Sequence, residues 1–506
     1  MDSLVSYTHR KDLSPQRRML LAYVMKYQKY LGQVTKLGAK YKVSRTFLYA
    51  NVKLHEKIIA DQTNRQFLRA AQKLSCHRKI LIQRLVGNSS LEAIQTILEV
   101  EGSIHNSLGY ISEFLRDTGR ALGQAIQLPD NSVRYEVAFA SDEIFGKTTT
   151  ILITVEPISN AILRIEIVEN RGSIEWQNHW QGITNQGVTP SLLLKDEGIA
   201  MKAAHAVLMP EVPVQSDTFH AVSHRLGLWI TRLEAVAFGL MLEKEAKERL
   251  FYNAKTTATL QKRLDAYDKV AQKCQIAIDM YHNFTFLYHN LLQCFQAFDN
   301  KGQLKVYQTV LDDFHAALDL AKTLHHPAIC KAIKTIESLT PSLFTFINQT
   351  QICLKNLSQK LQNGTKQLLN KDQINAFCSA WQWRKNAVKA KKTTRKNVAN
   401  MKEKTILEKI KTTLTTDYQI IKDIIYNQLD HNLQSSAAVE NINSILRPFL
   451  NSVKNQVTQE ALNLFMFYHN HRIFKHGKRK GSSPMQILSG QQHEHWLDLI
   501  LQKIAA

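Results

Sequence analysis

The hydrophobic pattern of this chain changes its period along the sequence, and that change constrains the fold more than any other feature. Up to about residue 130 the apolar residues recur at helical spacing. From about residue 133 they alternate, as half-buried strands require. From about residue 225 to about residue 430 no strand-like segment occurs, and Pro327 and Pro341 are the only prolines. The expected fold class is therefore mixed α and β. It combines an N-terminal all-helical region, an α/β core and a long all-helical stretch. The expected divisions fall at residues 1–65, 66–130, 131–224, 225–430 and 431–506.

The formal net charge of +22 belongs to a chain that is 44% hydrophobic, so the positive charge sits on folded modules rather than on a disordered tail. A charge of that size predicts a polyanionic partner, double-stranded DNA above all, because neutralised phosphates release counterions. No apolar run long enough for a signal peptide or a membrane span is present, which predicts a cytoplasmic protein without a membrane partner. The six cysteines contain no CxxC pair and read as reduced core thiols.

Ser14-Pro15 reads as an N-cap followed by proline at the first helical position. Residues 32–49 then read as a short helix, a tight turn at 41–43 and a second helix capped by Ser44, a helix-turn-helix pattern. In such a motif Arg45, Thr46 and Tyr49 face the major groove and Lys53 lies nearer the phosphates. Residues 90–122 repeat the rhythm and are expected to form a second helical DNA-binding region. Within the long helical stretch, Lys391, Lys392 and Arg395 belong to a run of single-sign charge that suits a DNA-facing surface.

Three successive strands are expected at residues 135–142, 147–155 and 161–168. A helix through Trp176 and Trp180 follows, then a short strand at 192–194, a helix at 199–208 and a last strand at 212–214. Asp142 ends the first strand on the face of Ala138 and Ala140, two small residues that leave space above the sheet. Asp196 follows the 192–194 strand and precedes Gly198 and a helix, so its carboxylate is expected in a cleft at a strand edge. Glu440 lies in a helix that would put Glu440, Ser444 and Arg447 on one face. Three carboxylates are the hard oxygen ligands needed to hold two Mg²⁺ ions, with Mn²⁺ as the natural substitute, for phosphoryl transfer to DNA.

A strand-end Asp, three hairpin-connected strands, a strand-end Asp-x-Gly and a helical Glu followed by Asn-x-Asn-Ser-x-Leu-Arg together resemble the DDE transposase family. The resemblance covers roughly residues 133–224 and 431–490. It implies an RNase H-like catalytic core interrupted by the helical stretch as an insertion, with Asp142, Asp196 and Glu440 as the acids. Asp217-Thr-Phe-His220 resembles the Cys-or-Asp, two residues, His motif of transposases with such an insertion. It makes His220 a helper near the scissile phosphate and offers Asp217 as the alternative second acid. The segment from Phe467 to Leu488 resembles the tail of bacterial insertion-sequence transposases, in which Lys478, Arg479 and Lys480 would touch phosphate. Trp229, Trp381 and Trp383 could stack on a flipped base, although a core role suits each.

On family grounds the expected assembly is a homodimer or a larger synaptic complex on transposon ends and target DNA, associated with the bacterial nucleoid. Two rival readings remain. One is a structure-specific metal endonuclease of the same fold, and the other is a non-catalytic DNA-binding regulator descended from a transposase.

Overall fold

The computed structural model describes residues 13–28, 30–60, 65–130, 132–145, 149–195, 198–364, 369–414, 417–452 and 457–505. Along the chain, helices α1 (Pro15–Tyr27), α2 (Gln33–Tyr41), α3 (Arg45–Ala60), α4 (Arg65–Leu85), α5 (Leu91–Val100) and α6 (Leu108–Leu122) precede the sheet. Strands β1 (Tyr135–Phe145), β2 (Thr150–Glu156) and β3 (Ala161–Val168) lead to α7 (Ser173–Thr184), β4 (Val188–Lys195), α8 (Ile199–Leu208) and β5 (Val214–Ser216). A π-helical segment, Phe219–His224, then opens the helical stretch. It comprises α9 (Arg225–Tyr252), α10 (Thr257–Cys294), α11 (Tyr307–Lys322), α12 (Pro327–Leu343), α13 (Thr345–Gly364), α14 (Lys371–Lys389), α15 (Thr393–Thr413) and α16 (Tyr418–Leu429). Helices α17 (Ala437–Ser452), α18 (Gln459–His471), α19 (Pro484–Ser489) and α20 (Trp496–Ala505) complete the chain.

Two compact units result. One holds Met1–Gln124, Leu446–Arg472 and His493–Ala506, and the other holds Ala125–Ile445 and Ile473–Gln492. In the first, Ser14 caps α1 by accepting from the Arg17 N–H at 3.3 Å. The Gln33 amide closes the other end by donating to the carbonyls of Val24 and Gln28 at 2.7 and 3.1 Å. Lys42 adopts a left-handed conformation at φ 51°, which ends α2, and the Val43 N–H returns to the Gly38 carbonyl. Ser44 then caps α3 through the Phe47 N–H. Leu21, Met25, Leu37, Val43 and Leu48 fill the small core that α1, α2 and α3 share.

Elsewhere in this unit α18 runs against α6 at close range, because Gly119 has no side chain to hold it off. A Cβ there would lie 2.1 Å from the Glu460 carbonyl oxygen. His77 stacks on Phe114 at a centroid distance of 3.8 Å and meets the Tyr110 hydroxyl at 2.7 Å. Burial pushes the imidazoles of His77 and His471 down to about 4. Both are therefore neutral in the fold but protonate in the unfolded chain below about pH 6.5. The stability that depends on their neutrality is complete above that pH and is lost as the pH falls towards 4. At pH 5 the more deeply buried His471 is expected to cost up to about 2 kcal/mol, and His77, which solvent partly screens, less. Thermal melts from pH 7.5 to 5 should fall steeply for the wild type and less steeply for His77→Gln with His471→Gln. Parallel curves would refute the assignment.

The second unit is built on a five-stranded sheet of order β3-β2-β1-β4-β5. β1, β2 and β3 pair antiparallel, whereas β4 and β5 continue from β1 as parallel strands. The antiparallel part follows from a tight turn: the Glu156 carboxylate accepts from the N–H groups of Ile158 and Ser159, and Asn160 takes φ 68°. The parallel part needs the crossovers supplied by α7 and α8. Phe139, Leu152 and Leu193 face Trp176, Trp180 and Ile183 of α7 in one core. By alternation Ala138, Ala140, Ile153 and Asp142 share the opposite face.

β5 is expected at 212–214 but pairs over Val214–Ser216, because Pro213 has no N–H to give and contributes only its carbonyl, to the Leu193 N–H. Its outer edge is covered by the junction of α12 and α13. Gln215 donates to the Leu343 carbonyl and accepts from the Phe346 N–H, while Thr345 donates to the Val214 carbonyl. The helical stretch has its own apolar core, in which Phe344 stacks on Phe295 and meets Phe314 edge-on. No helix among the described residues is long and apolar enough to cross a membrane.

Candidate active site

From β1 and β4 the chain departs in opposite directions across the sheet, towards β2 and β3 on one side and β5 on the other. In open sheets with such a switch point, ligands bind beyond the carboxyl ends of the parallel strands. Asp142 is half-buried near the end of β1. Its Oδ1 accepts from the Glu143 N–H at 2.8 Å and its Oδ2 from the Asn443 amide of α17 at 3.1 Å. Asn443 is buried, and one helical turn earlier on the same face stands Glu440, whose side chain is 52% exposed and free to turn towards a ligand. His220 Nε2 lies 3.6 Å from Glu440 Oε1. Asn441 receives the Asn160 amide at 3.3 Å, which ties α17 to the β2–β3 turn as well.

The approach of α17 is fixed by Asp217, which is only 3% exposed. Oδ1 accepts from the N–H groups of Phe219 and His220 at 2.7 and 3.0 Å, and Oδ2 from the N–H and hydroxyl of Ser436 at 2.7 and 2.6 Å. One carboxylate thus joins the start of the π-helical segment to the residue before α17. β4 is described to Lys195, which lies in register with Ser141 on one side and Ser216 on the other. Asp196, next in sequence, lies outside the described residues.

Beneath β1 runs a buried polar chain that the hydrophobic pattern does not announce. Ser141 meets the Thr154 hydroxyl at 2.8 Å and receives the Trp180 N–H at 3.1 Å. Thr154 meets His179 Nε2 at 3.1 Å, His179 Nδ1 meets Glu166 at 3.0 Å, and Arg164 pairs with Glu166. Burial drives the His179 imidazole down despite Glu166. Burial alone would push the Glu166 carboxyl up, but His179 and Arg164 outweigh it and hold it low. This chain fixes the strand one residue before Asp142. Its one signal in the sequence is polar residues at positions whose alternation points inward.

Two of the three expected acids, Asp142 and Glu440, are therefore joined through Asn443 and accompanied by His220. Among the described residues no three His, Cys, Asp or Glu side chains form a metal cage. The two carboxylates, Asp142 and Glu440, are oxygen donors of the kind a hard divalent cation takes. Arg45, Thr46, Tyr49 and Lys53 are all exposed on α3, with the Arg45 guanidinium 3.4 Å from the Thr35 hydroxyl. Lys391, Lys392, Arg395, Arg447 and Lys480 are exposed too. Lys478 pairs with Asp430 at 2.5 Å. The Arg479 guanidinium donates to the carbonyls of Ile158 and Pro157, both at 2.7 Å, and so braces the β2–β3 turn. Trp381 is buried and donates to Asp430, Trp229 packs against His326, and Trp383 lies under Lys402. No known protein family matches this chain, and no curated protein matches it either.

Proposed function

We propose that this chain is a DDE-type DNA transposase whose catalytic core is RNase H-like and whose helical stretch is the family's insertion. The observation that carries the reading is the hydrogen bond from Asn443 to Asp142. It lays α17 at the carboxyl end of β1 with Glu440 one turn away, two acids far apart in sequence at one strand end. Asp142 and Glu440, joined by Asp196, would hold two Mg²⁺ ions, which when bound activate the attacking oxygen and stabilise the leaving one.

Asn443 keeps the Asp142 carboxylate turned towards the ligand, and His220 stands beside Glu440. The exposed face of α3 binds the transposon ends through Arg45, Thr46 and Tyr49, and the basic α14–α15 surface meets the backbone through Lys391, Lys392 and Arg395. Joining two ends requires two active sites, so the working form is a homodimer or larger synaptic complex on nucleoid DNA.

The test is to incubate the purified chain with Mg²⁺, a supercoiled plasmid and labelled DNA carrying the sequences that flank its gene. Joining of label to plasmid is the expected result. Cleavage without joining would replace the transposase by a structure-specific nuclease. Specific binding without any cleavage would replace it by a regulator.

A further inference from the structure

The segment between α16 and α17, residues 430–436, is gripped by lysines from two distant parts of the chain. Lys385 of α14 lies 3.2 Å from Asp430 Oδ1, and Lys478 lies 2.5 Å from Oδ2. Trp381, one turn before Lys385, donates its indole N–H to Oδ1 at 3.0 Å. Lys389, one turn after Lys385 on the same face, donates to the Gln434 side-chain oxygen at 3.3 Å. Burial pushes the Asp430 carboxyl up, but the hydrogen bonds from Lys478 and Trp381 and the charge of Lys385 outweigh it and bring it down to about 2. Asp430 therefore stays ionised, and it is nearly buried.

Asp430 meets two of these ammonium groups and Lys389 meets the uncharged Gln434 side chain, so positive charge is left over. Asp430 holds two of the three in fixed positions, while the Lys478 side chain is 57% exposed and Lys389 is exposed. Fixed ammonium groups with surplus charge at an open surface are what an anion with several acceptor oxygens needs. The strap itself cannot drift, since the Gln434 carbonyl accepts from both the N–H and the hydroxyl of Thr218 and the Gln434 amide donates to the Phe295 carbonyl.

We infer that Lys385, Lys389 and Lys478 form a phosphate-binding subsite on the strap leading into α17, and that its ligand is a backbone phosphate of DNA. The inference rests on the transposase reading and adds to it a place where the insertion and the tail grip the same phosphodiester. A phosphate held there sits on the segment that ends at Ser436, four residues before Glu440 in sequence. Asp430 is the positioning residue of the subsite.

The test is the salt dependence of duplex DNA binding by the full chain, followed by fluorescence anisotropy from 50 to 300 mM KCl. One phosphate contact contributes about 0.9 to the slope of log K against log salt. Lys389→Gln with Lys478→Gln should lower the slope by about one and weaken binding roughly 10-fold at 0.1 M salt. The control is Lys262→Gln with Lys269→Gln, two exposed lysines of α10 whose loss changes the net charge equally. Lys389→Gln alone, at an exposed side chain with one contact, is expected to melt like the wild type and to show part of the same fall.

An unchanged slope in variants that melt normally would overturn the subsite, and so would an equal fall in the control. Stabilisation by inorganic phosphate over chloride at matched ionic strength, lost in the double variant while the DNA slope stays put, would assign the lysines to a free ion and overturn the DNA assignment. A wild type that binds no DNA would remove the transposase reading together with the subsite. A wild type that binds and joins DNA with a variant slope equal to its own would remove the subsite alone.

Discussion

Asp142→Asn and Glu440→Gln are each expected to lower DNA cleavage on the order of 10³-fold while leaving DNA binding and the melting temperature close to those of the wild type. Asn at 142 keeps one carbonyl oxygen to accept from the Asn443 amide and gives up the acceptor of the part-buried Glu143 N–H, so the contact between β1 and α17 survives and the negative charge does not. Glu440 is more than half exposed, and removing its charge costs the fold within about 0.5 kcal/mol. Loss of an acid near DNA lessens repulsion, which is why binding should hold or strengthen.

Asn443→Ala separates positioning from ligation. It leaves both acids present and removes one of the hydrogen bonds that hold the Asp142 carboxylate, so activity should fall roughly 10- to 100-fold and recover in part at higher Mg²⁺ concentration. Endpoint and initial-rate assays on the labelled ends used for the joining experiment measure all three. Near wild-type cleavage by Asp142→Asn would end the catalytic reading, whatever the binding data said.

Much of this architecture is legible in the sequence because alternation has a short range. Tyr135 to Asp142 and the stretch from Ala161 to Val168 declare themselves through neighbouring residues, and both pair with the strand between them as successive strands should. The strand ends are less legible. β1 runs on to Phe145 because β2 supplies partners as far as Thr150, which no local pattern reveals. The helix-turn-helix can be read from Ser44 and its turn for the same local reason.

Long-range contacts are another matter. Nothing around Asn443 says that its amide meets Asp142, since the two are brought together only by the whole fold. Arg479 reads as one of three basic residues in a tail, and its guanidinium is occupied by two carbonyls from a turn far away in sequence. That Leu446–Arg472 and His493–Ala506 pack with Met1–Gln124 is equally invisible to periodicity, because an amphipathic helix shows which face is buried and not what covers it.

The second acid is where local reading leaves two candidates, and the fold gives one of them, Asp217, a structural role. A carboxylate has about four lone-pair sites, and Asp217 has four donors on it from Phe219, His220 and Ser436. No site remains for a cation. Asp217→Ala strands those donors around a residue that is 3% exposed, and should cost about 3–5 kcal/mol. Because Ser436 precedes α17, the loss also loosens the helix that carries Glu440, so activity should fall together with stability and return in part under stabilising conditions such as low temperature. Asp217→Asn turns an amide N–H₂ towards donors and should destabilise nearly as much. Asp196→Asn is expected to behave in the opposite way, melting like the wild type and cutting no DNA. Thermal melts and cleavage assays on the three variants decide the matter. A normally melting, inactive Asp217→Asn beside an active Asp196→Asn would move the second acid to Asp217 and contradict the structural role derived from its four hydrogen bonds.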